Sequence, residues 1–374
     1  MVEIIELDTS KRKDVDRFIW TQIRLYEGCK YYVPPLWDDA REQLNRKRHP
    51  YYQHSDAGFF VAVKAGKDVG RIAALENRRY NEYRKERAAF FYLFDSIDDV
   101  EVSRALFGAA EAWAKARGLN HMYGPKGFIP LDAFGVLVEG FEYLPALEVP
   151  YNYEYYDRLV TDAGYTKYTD VLSAWFDDKM ELDPRVMDLA ERVKQRRGIV
   201  VRPLKSKAEI KTVLPTVVNV YNDMFVNNWE YVPVTQAEAD FIAKRLMNVI
   251  RPELIKLAYK GDELIGFLFA FPDVNEAIQK IKGRLWPFGF ITLLRALKTT
   301  KRIDLNGFGV VPKYQGGGAN AVMYAEIFRT VRENGFTFAD LVQMEEKNDK
   351  IQAEMQALGV KFYKRHRIYQ KSLG

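Results

Sequence analysis

The sequence is poor in the residues that build most redox and metal sites. Cys29 is the single cysteine among 374 residues, so no disulfide can close within the chain and a reducing compartment is the natural setting. No base adjoins it, and an ordinary structural thiol is expected there. Histidine is nearly as scarce: His49 and His54 flank Pro50, while His121 and His366 stand alone. None has metal-ligand spacing, so no metal site is expected. Long apolar runs are missing too. No window reaches the roughly 20 residues a bilayer demands, and the start at 1–6 is acidic and alternating rather than a basic-then-apolar leader, so no integral span and a cytoplasmic location are expected. Charge of one sign is also lacking. The net +5 is spread among interspersed acids, and the basic runs at 46–48 and 364–367 are too short for a nucleic-acid footprint, so no nucleic-acid partner is expected.

What is present suits a globular enzyme of two domains. Nearly half the residues are apolar, 48%, and the length exceeds what one core usually supports. Alternating segments around a glycine turn read as hairpins at 59–75 and again at 254–270. Ala62, Lys64 and Gly70 correspond to Ala258, Lys260 and Gly266, and Asn152 stands at the same offset from Asn348, which points to an internal duplication. The copies gain insertions in different places, 124–150 in the first and 276–300 in the second. Between them Asp183-Pro184 opens a helix that Gly198 closes. The expected plan is a first domain over 1–178, a linker helix over 179–198 and a second domain over 199–374, each mixed α/β.

The most informative stretch runs from Asp304 to Tyr324. A strand ends at Val310-Val311-Pro312, then Gln315-Gly316-Gly317-Gly318-Ala319-Asn320 leads into a helix. Glycines let successive amides converge on an anion, and the helix N-terminus adds partial positive charge. This stretch resembles motif A of the GNAT superfamily of acyl-CoA-dependent N-acyltransferases, in which Val-x-Pro precedes Gln/Arg-x-x-Gly-x-Gly/Ala. Gln315 and Gly318 match; Asn320 departs from the Gly or Ala of the pattern. Farther on, Asn348 through Leu358-Gly359 resembles the superfamily's second signature. The resemblance implies two tandem GNAT-like domains, each a mixed, splayed β-sheet flanked by helices. It also implies acetyl-CoA or another acyl-CoA as co-substrate, with Val310 and Val311 holding the pantetheine, residues Gln315 to Asn320 the phosphates, and Asn348 near the thiol. A small-molecule amine is the implied acceptor.

The first half lacks that loop and offers Asp95, Asp98 and Asp99 in its place, which would repel a pyrophosphate. It therefore reads as a degenerate copy on the acceptor side. For the base that deprotonates the amine, the candidates are Glu345, Asp304 and Asn306. Many relatives place a tyrosine seven residues after the second-signature Asn to protonate the thiolate, but Met355 stands there, and a thioether donates no proton. That keeps a non-catalytic acyl-CoA sensor open beside the enzyme, and the duplicated plan keeps a Fem-like aminoacyltransferase open. The segment 284–298 is amphipathic, aromatic and basic; packing against its own domain is the plain expectation, a membrane contact or an acyl-chain lid the sharper ones. The aromatic tract 143–156 is expected beside the acceptor or packed between domains.

Overall fold

The computed structural model describes every residue except Leu131, Ala133, Asn227 and Glu230. The first copy runs β1 (Val2–Glu6), α1 (Arg12–Leu25), α2 (Trp37–Gln43), β2 (Asp56–Lys64), β3 (Lys67–Glu76), α3 (Arg78–Arg84), β4 (Ala88–Ser96), α4 (Val100–Lys115), β5 (His121–Gly124), β6 (Val136–Glu139), α5 (Tyr156–Asp162) and β7 (Thr166–Asp177). After α6 (Pro184–Arg197) come β8 (Ile199–Arg202), α7 (Lys207–Met224), α8 (Gln236–Leu246), β9 (Ile255–Lys260), β10 (Glu263–Pro272), α9 (Asn275–Lys280), α10 (Gly289–Thr299), β11 (Arg302–Val310), α11 (Ala319–Glu333), β12 (Phe338–Glu345), α12 (Asp349–Ala357) and β13 (Lys361–Ser372).

Helix boundaries follow from local chemistry. Asp183 accepts a hydrogen bond from the Arg185 amide at 2.9 Å, Pro184 occupies the first turn, and Gly198 leaves α6 with φ +64°, a left-handed value that costs a residue with a Cβ about 1–2 kcal/mol. Thr235 and Glu238 close a reciprocal capping box at the head of α8, satisfying two amides that have no partner inside the helix.

The chain forms two compact units that interleave in sequence. One comprises Met1–Val171, Asn275–Leu293 and Lys364–Gly374; the other Leu172–Val274 and Leu294–Tyr363. In the first unit the strand order is β1-β2-β3-β4-β5-β13, with β6 also on β13. The last strand of the chain thus completes the sheet of the first copy, pairing Tyr369 with Gly124 and Ser372 with His121. Phe91, Phe107, Leu106, Met122 and Tyr165 fill the core between that sheet and helices α4 and α5. In the second unit the order is β12-β11-β10-β9-β8, with Leu257, Ile265, Phe267, Ile303, Val322 and Met323 buried. There α6 lies along α11, tied by Lys194 to Glu326 at 2.8 Å.

The duplication is visible in the irregularities. Ala62 pairs with Gly70 and Ala258 with Gly266, and each hairpin slips register immediately beyond that pair. Each glycine admits the next strand: a Cβ on Gly70 would meet the Asp95 carbonyl at 2.9 Å, one on Gly266 the Gly309 carbonyl at 2.6 Å. Each following strand then carries one extra residue, between Tyr92 and Asp95 in β4 and between Leu305 and Phe308 in β11. A bulge at the same level in both copies bends the strand and re-aims its edge.

The segment 284–298 departs from the plain expectation. Its approach is buried on the first unit, but α10 has no buried residue, and Trp286 and Phe288 are about three-quarters exposed, at 74% and 73%. The reason is anchoring: the Asn275 and Gln279 side chains spend their donors on backbone carbonyls, Pro145 at 2.8 Å and Lys30 and Tyr32 at 2.9 Å, which fixes α9 and leaves the chain beyond it outside the core.

Candidate functional site

The second unit assembles its site where β11 leaves β12. These strands run parallel and pair from Arg302 with Phe338 to Leu305 with Leu341, and beyond that level no pairing joins them among the described residues. On its other side β11 stays bonded to β10 up to Val310 opposite Gly266. The inner edge of β11 past the bulge at Asn306 and Gly307 is therefore a row of backbone groups with no strand to meet, which a ligand carrying amides can pair.

Equivalent positions in the two copies show which groups face that gap. Val311 donates its amide to the Ile265 carbonyl at 2.9 Å as Ile97 does to Val69 at 3.0 Å, so the preceding residues, Val310 and Ser96, turn theirs the other way. In the first unit that space is filled. Ser96 donates its amide to the Tyr156 hydroxyl at 3.1 Å, and its carbonyl accepts from the Tyr155 hydroxyl at 2.9 Å. Tyr156 is fully buried, which pushes its hydroxyl pKa well up and keeps it protonated. The end of the aromatic tract, Tyr151 to Tyr156, thus packs against the core of the first unit, while Tyr143 at its start is exposed: Tyr153 stacks on Tyr26 at 5.0 Å and Tyr26 on Tyr32 at 4.3 Å.

The carboxylates expected to repel phosphate there are all engaged. Asp95 is buried against Arg71 at 2.7 Å, burial pushing its carboxyl up. Asp99 caps α4 and holds Lys64 at 2.6 Å, and Asp98 pairs with Arg158. In this copy, then, tyrosines occupy the strand edge that the other copy leaves unpaired. Asn152 heads no helix; its amide brackets the Leu137 backbone at 2.7 and 3.0 Å.

In the second unit the loop stays open. Gly316 and Gly318 take φ of +70° and +83°, so only glycine holds both without strain. A Cβ on Gly317 would sit 2.8 Å from the Tyr314 carbonyl, and one on Gly318 2.5 Å from Val193 of α6. The amides of Ala319, Asn320 and Ala321 begin α11 and have no acceptor within it. Arg197, ending α6, reaches the Gly316 carbonyl at 3.4 Å and brings a cation to the loop. The sequence hint for it was the basic end of α6 before Gly198. Glu263 secures the outer side, accepting from Lys313 at 2.5 Å and Tyr314 at 2.6 Å, with its carboxyl held below the ordinary range by Lys313 first and Tyr314 second. Two left-handed glycines, a helix N-terminus and a nearby guanidinium form a cradle that fits a pyrophosphate.

The expected site residues divide on this frame. Val310 lies at the gap, its carbonyl accepting from the Gln315 side chain at 3.2 Å. Val311 offers neither backbone group, because its carbonyl accepts from the Tyr314 amide at 2.9 Å. The Asn320 side chain turns to Glu354 at 2.9 Å, and Tyr324 joins the same carboxylate at 3.0 Å, leaving only the Asn320 amide for a ligand. Asn348 caps α12 through the Ile351 amide at 3.2 Å. Asn306 sits half-buried at the bulge where the strands part. Asp304 is buried, level with Asp340, which takes a hydrogen bond from Tyr363. Glu345 closes β12, half-buried, five residues past the Asp340 that is level with Asp304 and so about 16 Å farther along the sheet at ~3.3 Å per residue. The fold does not bring those two carboxylates together. Met355 is buried core, so the tyrosine position of the superfamily's second signature carries packing here.

Among the described residues no cluster of His, Cys, Asp and Glu has metal-binding form, and no helix is long and apolar enough to cross a membrane. No protein-family model matches the chain. Protein YghO of Escherichia coli (strain K12) is 30% identical over 376 residues, spanning 97% of this chain and 94% of that protein. The bacterial ceramide synthase of Caulobacter vibrioides (strain NA1000 / CB15N) is 29% identical over 372 residues, spanning 96% and 95%. Among solved structures, a tandem GNAT protein from the clavulanic acid biosynthesis pathway superposes with TM-score 0.58 at 12% identity, over 100% of this chain and 99% of that one. A GCN5-related N-acetyltransferase from Sphaerobacter thermophilus gives TM-score 0.52 at 15% identity, over 99% and 96%. Identities this low speak for the fold, and the fold is the one the two copies, their matched bulges and the glycine loop describe. The chain belongs to the family of Protein YghO and has the tandem GNAT fold, with its N-terminal copy degenerate.

Proposed function

We propose that this chain is a cytoplasmic acyl-CoA-dependent N-acyltransferase. In this reading residues 199–374 hold the co-substrate, 179–198 link the copies, and 1–178 shape the acceptor side without binding CoA. The observation that carries it is the parting of β11 from β12 beside a glycine loop that opens α11. Acyl-CoA would supply an acyl group activated as a thioester. The amides of Gly316, Gly318, Ala319 and Asn320 would take its pyrophosphate, aided by Arg197, while Gly317 donates its own amide to the Tyr314 carbonyl at 3.1 Å and shapes the turn; the edge of β11 at Val310 would take the pantetheine amides. Asn348, at the head of α12, would approach the thiol end. Excluding water, the gap orients the acceptor amine toward that edge.

The amine must lose a proton to become a nucleophile. Glu345, half-buried at the end of β12, is our first choice for that role. Asp304, more deeply buried, and Asn306 at the bulge would orient rather than exchange protons with solvent. For the acceptor we infer a long-chain amino alcohol, supported by the likeness to a ceramide synthase along nearly the whole chain, since a ceramide is such an amine carrying an acyl group on nitrogen. The buried Met355 favours one second reading, an acyl-CoA sensor without turnover.

The test is incubation with acyl-CoA of graded chain length and a panel of amines, following free thiol and the mass of the amide. Amide formation with a long-chain amine is the expected result. Calorimetric binding of CoA without turnover on any amine would leave the sensor, and no binding of CoA would overturn both readings.

A further inference from the structure

Five of the eleven exposed large apolar side chains among the described residues fall within nine consecutive positions: Trp286, Phe288, Phe290, Ile291 and Leu294. Elsewhere such residues are scattered, which needs no explanation. Here they form one surface. Phe290, Ile291 and Leu294 share a face of α10 by their three- and four-residue spacing, and the Trp286 ring lies 5.4 Å from that of Phe290.

The same segment is charged with one sign. Residues 277–301 contain no Asp or Glu, against Lys280, Lys282, Arg284, Arg295, Lys298 and Lys301, and all six cations are exposed. The base of the segment is held firmly. The Trp37 indole and amide donate to the carbonyls of Lys282 and Gly283 at 3.2 and 3.1 Å, Arg284 lies over the Trp37 ring at 4.8 Å, and a Cβ on Gly283, at φ +71°, would meet the Pro35 carbonyl at 2.2 Å. A fixed stem therefore presents an apolar tip ringed by cations.

We propose that residues 284–298 dock the protein on an anionic lipid bilayer surface. The rings of Trp286, Phe288 and Phe290 enter at headgroup depth, Ile291 and Leu294 follow the same face inward, and Arg284, Arg295 and Lys298 meet lipid phosphates. Exposed aromatic and aliphatic side chains with a basic flank are the chemistry of an interfacial helix. A second copy of the chain is the poorer occupant, because a two-fold contact through this patch sets the same cations against each other. The proposal stands apart from the acyl-transfer reading, since it uses no residue of the glycine loop or of the gap beside β11.

The experiment is cosedimentation of the full chain with vesicles of phosphatidylcholine alone and of phosphatidylcholine mixed with phosphatidylglycerol. Binding is expected to the mixed vesicles and to weaken steeply as salt rises. Arg295→Gln with Lys298→Gln should lower partitioning about fivefold per cation removed, and Trp286→Ser with Phe288→Ser on the order of tenfold or more. Both double variants should keep the parent's melting temperature and its calorimetric affinity for CoA, which separates lost docking from lost folding and from the co-substrate site. If the parent stays in the supernatant with anionic vesicles at low salt, or the variants partition as the parent does, the proposal is wrong. A lower molar mass by light scattering for Trp286→Ser with Phe288→Ser, with no vesicle binding by the parent, would assign the patch to a second copy and also overturn it.

Discussion

Replacing Gly318 by alanine places a methyl group where α6 already stands. The new Cβ would lie 2.5 Å from Val193 Cγ2, and the backbone there holds φ +83°. Two costs arise. The left-handed conformation costs a residue with a Cβ about 1–2 kcal/mol, and relief of the contact requires Val193 or the head of α11 to move. Because three free amides of α11 follow immediately, the loop's simplest relief turns them off the phosphates. The conformational part alone corresponds to about 5- to 30-fold weaker binding at 1.4 kcal/mol per decade. Calorimetric titration with CoA should show a loss in that range or beyond, with the variant still folded. Adding Val193→Ala removes the blocking methyls and should restore only the steric share. A Gly318→Ala variant that binds CoA as tightly as the parent would refute the assignment of this loop as the phosphate cradle.

Glu345→Gln should lower turnover on the best amine at least tenfold while leaving CoA affinity unchanged, since the substitution removes a base and little volume; unchanged turnover would take Glu345 out of the mechanism. His366 provides a pH prediction. Its ring is fully buried with Nε2 on the Pro150 carbonyl at 3.2 Å, and burial first, then Lys364, pushes its pKa down to about 3. Below its ordinary value the unfolded chain takes up a proton that the folded chain refuses, so stability falls as pH drops from 6.5 toward 3. Between pH 7 and pH 5 this one ring should remove about 2 kcal/mol. Denaturant midpoints at the two pH values should therefore differ less for His366→Gln than for the parent, and equal differences would contradict the burial argument.

Much of this was legible in the residues. Hairpins at matching offsets, the Asp183-Pro184 start and Gly198 stop of α6, and three glycines before an apolar helix are local signals. Each rests on backbone preferences that act within a few positions. The fold class and the glycine loop at the head of α11 follow from them.

What the residues left open involves partners far apart along the chain. Nothing in the sequence of Asp95, Asp98 and Asp99 says that Arg71, Arg158 and Lys64 neutralise them, or that Tyr155 and Tyr156 occupy the edge of β4 at Ser96. Likewise, the spending of both Val311 backbone groups depends on register with β10 and on the turn after it. The exposure of Trp286 depends on how Asn275 and Gln279 fasten the segment before it. Local pattern determined the elements and the loop; long-range pairing and burial alone decided which edge stays open, which copy is filled, and which apolar surface faces outward.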